Sequence, residues 1–287
     1  MARAFMNKRE RASRAARGRE KRSSGRVPVP GRHPDTPHLC LLRSPAVAQP
    51  RERYDGSLQV ATYNVHRWMG LSGRTKPDPS RAHSVISELD ADVMALQEVI
   101  RPFDGEDPVA SLADSLGLHV AFAATRVHKT GELGNAILSR WPILGLSMLD
   151  LTRSRLEKRV ALCAQLDLPE GLLQVVATHL ALAPRTRRAQ VRSLLDHPQL
   201  RSGSAVLMGD MNSWRRCRAS RTLDDELEPH GGTPWPASFP SLRPVLALDR
   251  IYGRGVLMTQ LQAHSSVLAR RASDHLPVSA RVELSEI

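Results

Sequence analysis

Residues 172–210 read LLQVVATHLALAPRTRRAQVRSLLDHPQLRSGSAVLMGD, and their pattern decides the fold class. Leu172–Thr178 is a short run rich in β-branched and aliphatic residues, which predicts a buried strand delivering His179. Arg185–Leu195 repeats its apolar residues at helical spacing among arginines, and Ala205–Met208 is a second strand, delivering Gly209 and Asp210. The same alternation extends in both directions. Leu58–Tyr63 predicts a strand ending at Asn64, and Pro79–Leu89 a helix with Asp78 or Ser80 as N-cap. Asp92–Leu96 predicts a strand running into Gln97-Glu98, and Val109–Leu116 a helix closed by Gly117. Strands are expected at His119–Ala124, Asn135–Ser139, Ile143–Leu151, Val160–Leu168, Leu246–Tyr252 and Pro277–Leu284. These alternations predict an α/β protein.

Charge divides the chain unevenly. Residues 1–53 hold 14 of the 41 Lys and Arg but only 4 of the 29 acidic residues, leaving 27 against 25 elsewhere. Of the net charge of +12, +10 therefore belongs to the first 53 residues. That segment has few large apolar residues and reads as a disordered basic tail, with residues 54–287 as one catalytic domain. A near-neutral domain argues against tight, sequence-independent duplex binding, which leans on many phosphate contacts. The stretch Leu39–Ala48 (LCLLRSPAVA) is interrupted by Arg43 and too short for a secretory signal, and no apolar run reaches a membrane-spanning length. Cys40, Cys163 and Cys217 form neither a disulfide framework nor a zinc pattern. A cytoplasmic location is the expectation.

The predicted strands stop at residues that carry chemistry. Asn64, Glu98, His179, Asp210, Asp249 and Asp274 each lie at or beside a strand end, and several strand ends can converge on one sheet edge. Singly, each reads as a turn residue or a hydrogen-bonded polar group. Together they are the carboxylates, amides and imidazoles that phosphoester hydrolysis needs, since Mg²⁺ prefers hard oxygen ligands.

The segments ATYNVH (61–66), DVMALQEV (92–99), GNAILSRWPI (134–143), ATHLAL (177–182), GDMNSW (209–214), LDRIYG (248–253) and SDHLPVSARV (273–282) occur in that order. Over about residues 56–284 the chain resembles the endonuclease/exonuclease/phosphatase superfamily. That resemblance implies a four-layer α/β sandwich, two facing mixed sheets with helices outside and the site at one end. It implies a Mg²⁺-dependent (or Mn²⁺-dependent) phosphoesterase with Glu98 as main metal ligand and Asn64 and Asp274 as helpers. Asp210 would orient or deprotonate water, and Asn212 would hold a phosphate oxygen. His275 would donate to the phosphoryl group, with Asp249 fixing a histidine tautomer. His179 would protonate the leaving oxygen or stabilise its charge. An assignment with His275 as base and Asp210 as helper stays open.

Asn135 and Arg159 are expected to contact substrate, and His66 to share Asn64's side. Arg185, Arg187, Arg188 and Arg192 form a possible phosphate-attracting face, while the four tryptophans read as packing residues rather than base-stacking platforms. His179 stands where abasic-site endonucleases of the superfamily carry tyrosine, which disfavours that branch. VLALDRI lacks the longer signature of the inositol phosphatases. Substrates left open are nucleic acid, a phospholipid head group or a small phosphorylated metabolite, with no obligate protein partner inferred. The alternatives are a catalytically degenerate binding module and a DNA-binding protein using the basic tail.

Overall fold

A computed structural model describes residues 40–47, 54–155, 157–227 and 234–285. The strands are β1 (Cys40–Arg43), β2 (Ser57–Asn64), β3 (Val93–Pro102), β4 (His119–Val127), β5 (Gly131–Ser139), β6 (Ile143–Asp150), β7 (Val160–Leu168), β8 (Gly171–His179), β9 (Ser204–Asp210), β10 (Asp249–Arg254), β11 (Val256–Ala263) and β12 (Val278–Leu284). Six helices join them: α1 (Pro79–Leu89), α2 (Pro108–Leu116), α3 (Pro184–Leu195), α4 (Pro198–Arg201), α5 (Arg218–Glu226) and α6 (Ala269–Ala272).

The strands form a seven-stranded sheet in the order β1-β4-β5-β3-β2-β12-β11 and a five-stranded sheet in the order β10-β9-β8-β7-β6. Both are mixed, with β2 parallel to β3 and β8 parallel to β9 among antiparallel neighbours. Three apolar clusters define the layers. Leu58, Val60, Val175, Ala177, Val206, Met208 and Ile251 meet between the sheets. Ala61, Tyr63 and Met94 pack outward against Val85 and Ile86 of α1 and Leu112 of α2. Val176 and Leu207 pack outward against Val191 of α3 and Leu223 of α5. Both faces of the central strands are therefore covered, which is why these strands read as continuous apolar runs. The fold is the expected four-layer α/β sandwich.

Strand parity then places the site. Leu58 and Val60 face the inter-sheet core, so Asn64 shares their side. By the same alternation His179 follows Val175 and Ala177, Asp210 follows Val206 and Met208, and Asp249 precedes Ile251. Asp210 is the register partner of both His179 and Asp249. Four polar residues thus end up on the inner faces at one end of the sandwich.

Glu98 departs from simple alternation. Leu96 pairs with Ala136 but Val99 with Gly134, so β3 carries one extra residue at this point. Glu98 occupies the bulge with φ of 54°, a left-handed conformation rare outside glycine. The bulge re-aims its carboxylate, which Leu96's parity would otherwise turn into the outer core.

The helix boundaries follow local chemistry. Asp78 caps α1 by accepting from the Ser80 N–H at 3.2 Å, and Asp107 caps α2. Gly117 closes α2 in the left-handed region.

Part of the expected tail is ordered. Cys40–Arg43 pairs antiparallel with β4 as an edge strand, and Arg43 forms an ion pair with Asp114. Its apolar CLL covers an edge that would otherwise stand open. Residues 1–39 and 48–53 of the tail lie outside the described residues. The sequence reading also misses β11, a largely exposed edge strand with a register break between Thr259 and Gln262. Among the described residues, no helix is long and apolar enough to cross a membrane.

Candidate active site

Asp210 is the hub. Its position depends on Gly209, whose φ is 153° and where a Cβ would lie 1.9 Å from the Thr178 carbonyl oxygen. Only glycine fits this close approach between β8 and β9. Asp210 Oδ1 accepts from the Asn212 N–H at 2.9 Å, a tight turn that sets Asn212 at φ of 49°. Its Oδ2 accepts from Asn64 Nδ2 at 3.2 Å and lies 3.3 Å from His179 Nε2 and 3.8 Å from His275 Nε2.

The two histidines have opposite surroundings. His275 Nδ1 is 2.8 Å from Asp249 Oδ2, which also accepts from the Ser238 hydroxyl at 2.6 Å. Burial opposes a charge on His275, but Asp249, then Asp210 and Asp274, outweigh it and push its pKa up to about 10. His179 Nδ1 instead faces the Arg159 guanidinium at 3.4 Å. Burial first, and then the Arg159 charge, push His179 down to about 3. The guanidinium can only donate, so Nδ1 is the acceptor and the proton of the neutral ring sits on Nε2, facing Asp210.

A second group of carboxylates is wetter. The Glu98 and Asp274 side chains are 25% and 27% exposed, against 3% or less for Asp210 and Asp249. Glu98 lies 3.3 Å from Arg67 Nε, and Asp274 Oδ1 lies 3.1 Å from His66 Nδ1. Burial raises the Asp274 pKa; the charges of His275 and His66 lower it, and the Glu98 charge raises it further. Partly exposed hard oxygens that repel one another are a donor set that Mg²⁺ fits. Asp210, Asp249 and His275, with ligand atoms all within 4.8 Å of one another, form a second cluster that could hold a metal ion.

Other expected residues separate. Arg159 lies beside His179, anchored to Glu157 at 3.0 Å. Asn135 is buried and donates to the Val160 carbonyl at 3.0 Å, linking β5 to β7. His66 begins a 3-10 turn instead of extending β2, and faces Asp274. Arg187 does not join a solvent-facing basic surface: it is buried and donates to the Ala181 and Leu182 carbonyls.

Sequence reasoning missed three serine and arginine supports. The Ser273 hydroxyl donates to the Asn64 carbonyl at 2.7 Å and accepts from the His275 N–H, joining β2 to the Asp274-His275 loop. Ser238 orients Asp249, and Arg67 sits on Glu98. Ser273 opens the SDHLPVSARV segment and Ser238 lies in PWPASFPS (234–241), but nothing local marks either as a hydrogen-bond partner.

Residues 61–275 match the family model described as Endonuclease/Exonuclease/phosphatase family. The chain belongs to this family. The uncharacterized protein YbhP of Escherichia coli (strain K12) is 30% identical over 254 residues, covering 82% of this chain and 100% of the relative. The crystal structure of an endonuclease/exonuclease/phosphatase from Beutenbergia cavernae superposes with a TM-score of 0.62 at 24% identity, covering 80% of this chain and 72% of that one. D. rerio TDP2, complexed with a single-strand DNA product, superposes at 0.61 with 18% identity, covering 80% and 100%. These two structural likenesses speak for the fold.

Proposed function

We propose that the chain is a Mg²⁺-dependent phosphodiesterase in which the wet carboxylates hold the metal and the dry cluster around Asp210 handles water and leaving group. The observation that carries this reading is the convergence of Asn64, His179 and His275 on one oxygen of Asp210. Asn64 donates to this oxygen and both imidazoles lie close to it, which aims the carboxylate as positioning an attacking water requires.

Glu98 and Asp274 would hold Mg²⁺ or Mn²⁺, with Asn64 beside them; the ion would neutralise charge on the phosphoryl oxygens. Asn64 has a further role, since its Oδ1 accepts from the His66 N–H at 3.0 Å and ties the following turn to the site. His275, charged and oriented by Asp249, directs its Nε2–H toward a phosphoryl oxygen as negative charge builds there. That protonated state favours Asp210 over His275 as the group that orients water. Neutral His179 offers an Nε2–H to the leaving oxygen, so stabilising its charge suits it better than full proton donation. Asn212 uses one amide hydrogen on the Leu180 carbonyl and keeps a second for a phosphate oxygen. Arg159 would add positive charge at the leaving-group side. The intact set argues against a degenerate binding module.

The test is hydrolysis of bis-p-nitrophenyl phosphate with added Mg²⁺ or Mn²⁺. Turnover that EDTA abolishes, and that Glu98→Ala and His275→Ala each remove while circular dichroism stays native, is the expected result. Undiminished turnover in either variant would refute the assigned site.

A further inference from the structure

The four tryptophans part company in the structure. Trp68 is buried with its indole N–H on the Ile100 carbonyl, Trp141 packs edge-on against Tyr54, and Trp235 lies against Tyr252 and Arg250. Trp214 alone among them is 61% exposed. It lies two residues beyond Asn212 and lines a cavity of about 600 Å³ with Leu182, Pro184, Asn212, Arg215 and Arg216. Leu182 is likewise 58% exposed. Two large apolar side chains at the mouth of a polar site give a hydrated structure no stability, but they suit a planar apolar group placed beside the phosphate that Asn212 would hold.

Cations flank this cavity on both sides. Arg215 and Arg216 are exposed on its rim, and Pro184 brings in the amino end of α3, which no side chain among the described residues caps. A second cavity of about 770 Å³ is lined by Arg153, Arg155 and Lys158. The Leu182 N–H donates to Glu157, next to Lys158, at 3.2 Å, which brings the two linings near one another. The near-neutral domain therefore gathers cations at the site end. An aromatic face between basic flanks is the arrangement that binds unpaired bases while tracking their phosphates.

We infer that this cavity is a nucleobase subsite, in which a base of a single-stranded nucleic acid stacks on Trp214 while neighbouring phosphates lie along Arg215, Arg216, Arg153, Arg155 and Lys158. The inference deepens the proposed function and rests on it for the position of the scissile phosphate. A lipid head group would use one cation and the apolar rim, leaving the other basic side chains without a role. A paired base could not enter, so duplex DNA is a poor substrate.

The experiment compares oligothymidylate with an abasic strand of equal length on the full chain, so that attraction of phosphates to the basic N-terminal segment affects both equally. Tryptophan fluorescence in EDTA reads binding without turnover. KM and kcat with Mg²⁺ read catalysis. Wild type should prefer oligothymidylate by about tenfold. Trp214→Ala should erase that preference through KM with kcat little changed, and Trp214→Phe should keep most of it. Equal affinity of wild type for both strands overturns the subsite, as does a preference that survives in Trp214→Ala. Faster hydrolysis of phosphatidylglycerol vesicles than of oligothymidylate, dependent on Trp214, assigns the cavity to lipid and overturns it too. Bis-p-nitrophenyl phosphate separates the two levels. If it is hydrolysed while the base preference is absent, only the subsite fails. If it is not hydrolysed but Trp214-dependent binding of the base persists, the phosphodiesterase reading fails and the subsite stands.

Discussion

The site has a dry wall and a wet wall, and the two treat negative charge differently. On the dry wall, Asp210 and Asp249 are buried and surrounded by donors: Asn64, the Asn212 N–H, His179, His275 and Ser238. On the wet wall, Glu98 and Asp274 are about a quarter exposed, with Arg67 beside the first and the His66 ring beside the second. A buried carboxylate stays charged only when hydrogen bonds replace lost hydration. Protein donors meet the dry-wall carboxylates except at the buried Asp249 Oδ1, whereas the wet-wall carboxylates are open to solution. The proposed function assigns acid–base chemistry to the first wall and metal binding to the second.

That contrast is breakable by mutation. Asp210→Asn keeps the donors' geometry but removes the charge they serve, and kcat should fall by roughly 10²–10⁴-fold with Mn²⁺ affinity little changed. Comparable loss of both would merge the two walls into one. Asp249→Asn leaves His275 without its anionic partner, and a loss of about 10–100-fold in kcat is expected, as for other groups acting through a neighbour. Gly209→Ala pushes a methyl into the Thr178 carbonyl, and urea denaturation should show about 2 kcal/mol or more of destabilisation.

The smallest effect concerns the rim. Cys217 lines the Trp214 cavity. Burial opposes its thiolate, but hydrogen bonds from Ser213 and Ser220 and the Arg187 charge outweigh it and bring the thiol down to about 7. Burial takes Cys163 up to about 12. Alkylation of Cys217 by iodoacetamide should rise as pH increases through about 7, because the thiolate is the nucleophile, while Cys163 stays unreactive. Mass spectrometry of the labelled peptides checks this. A Cys217 rate that begins to rise only near the ordinary thiol range would contradict it.

Much of this was legible in the sequence, for identifiable reasons. Helix α1 matches the expected Pro79–Leu89 because Asp78 and the apolar spacing both point there. Central strands such as β7 and β8 are evident because burial on both faces leaves few polar residues in them. The convergence of Asn64, His179, Asp210 and Asp249 follows from strand ends and parity. Other features are not local. β11 escapes because an edge strand exposes most of one face and this one bends at Gln260, where φ is 52°. Arg187 reads as one of four helix arginines, yet its guanidinium folds back on two carbonyls that only the tertiary structure brings near. The Glu98 bulge depends on the register between β3 and β5, which residues 92–99 do not disclose by themselves. Trp214 differs from the other tryptophans in being 61% exposed, a property of its surroundings.

The division between the walls is tested most directly by Mn²⁺ binding, followed by electron paramagnetic resonance, to wild type, Glu98→Gln and Asp249→Asn. Wild type and Asp249→Asn should bind the ion with similar affinity, and Glu98→Gln should bind it at least tenfold more weakly. Loss of Mn²⁺ in Asp249→Asn with full binding in Glu98→Gln would place the metal in the Asp210–Asp249–His275 cluster and contradict the account.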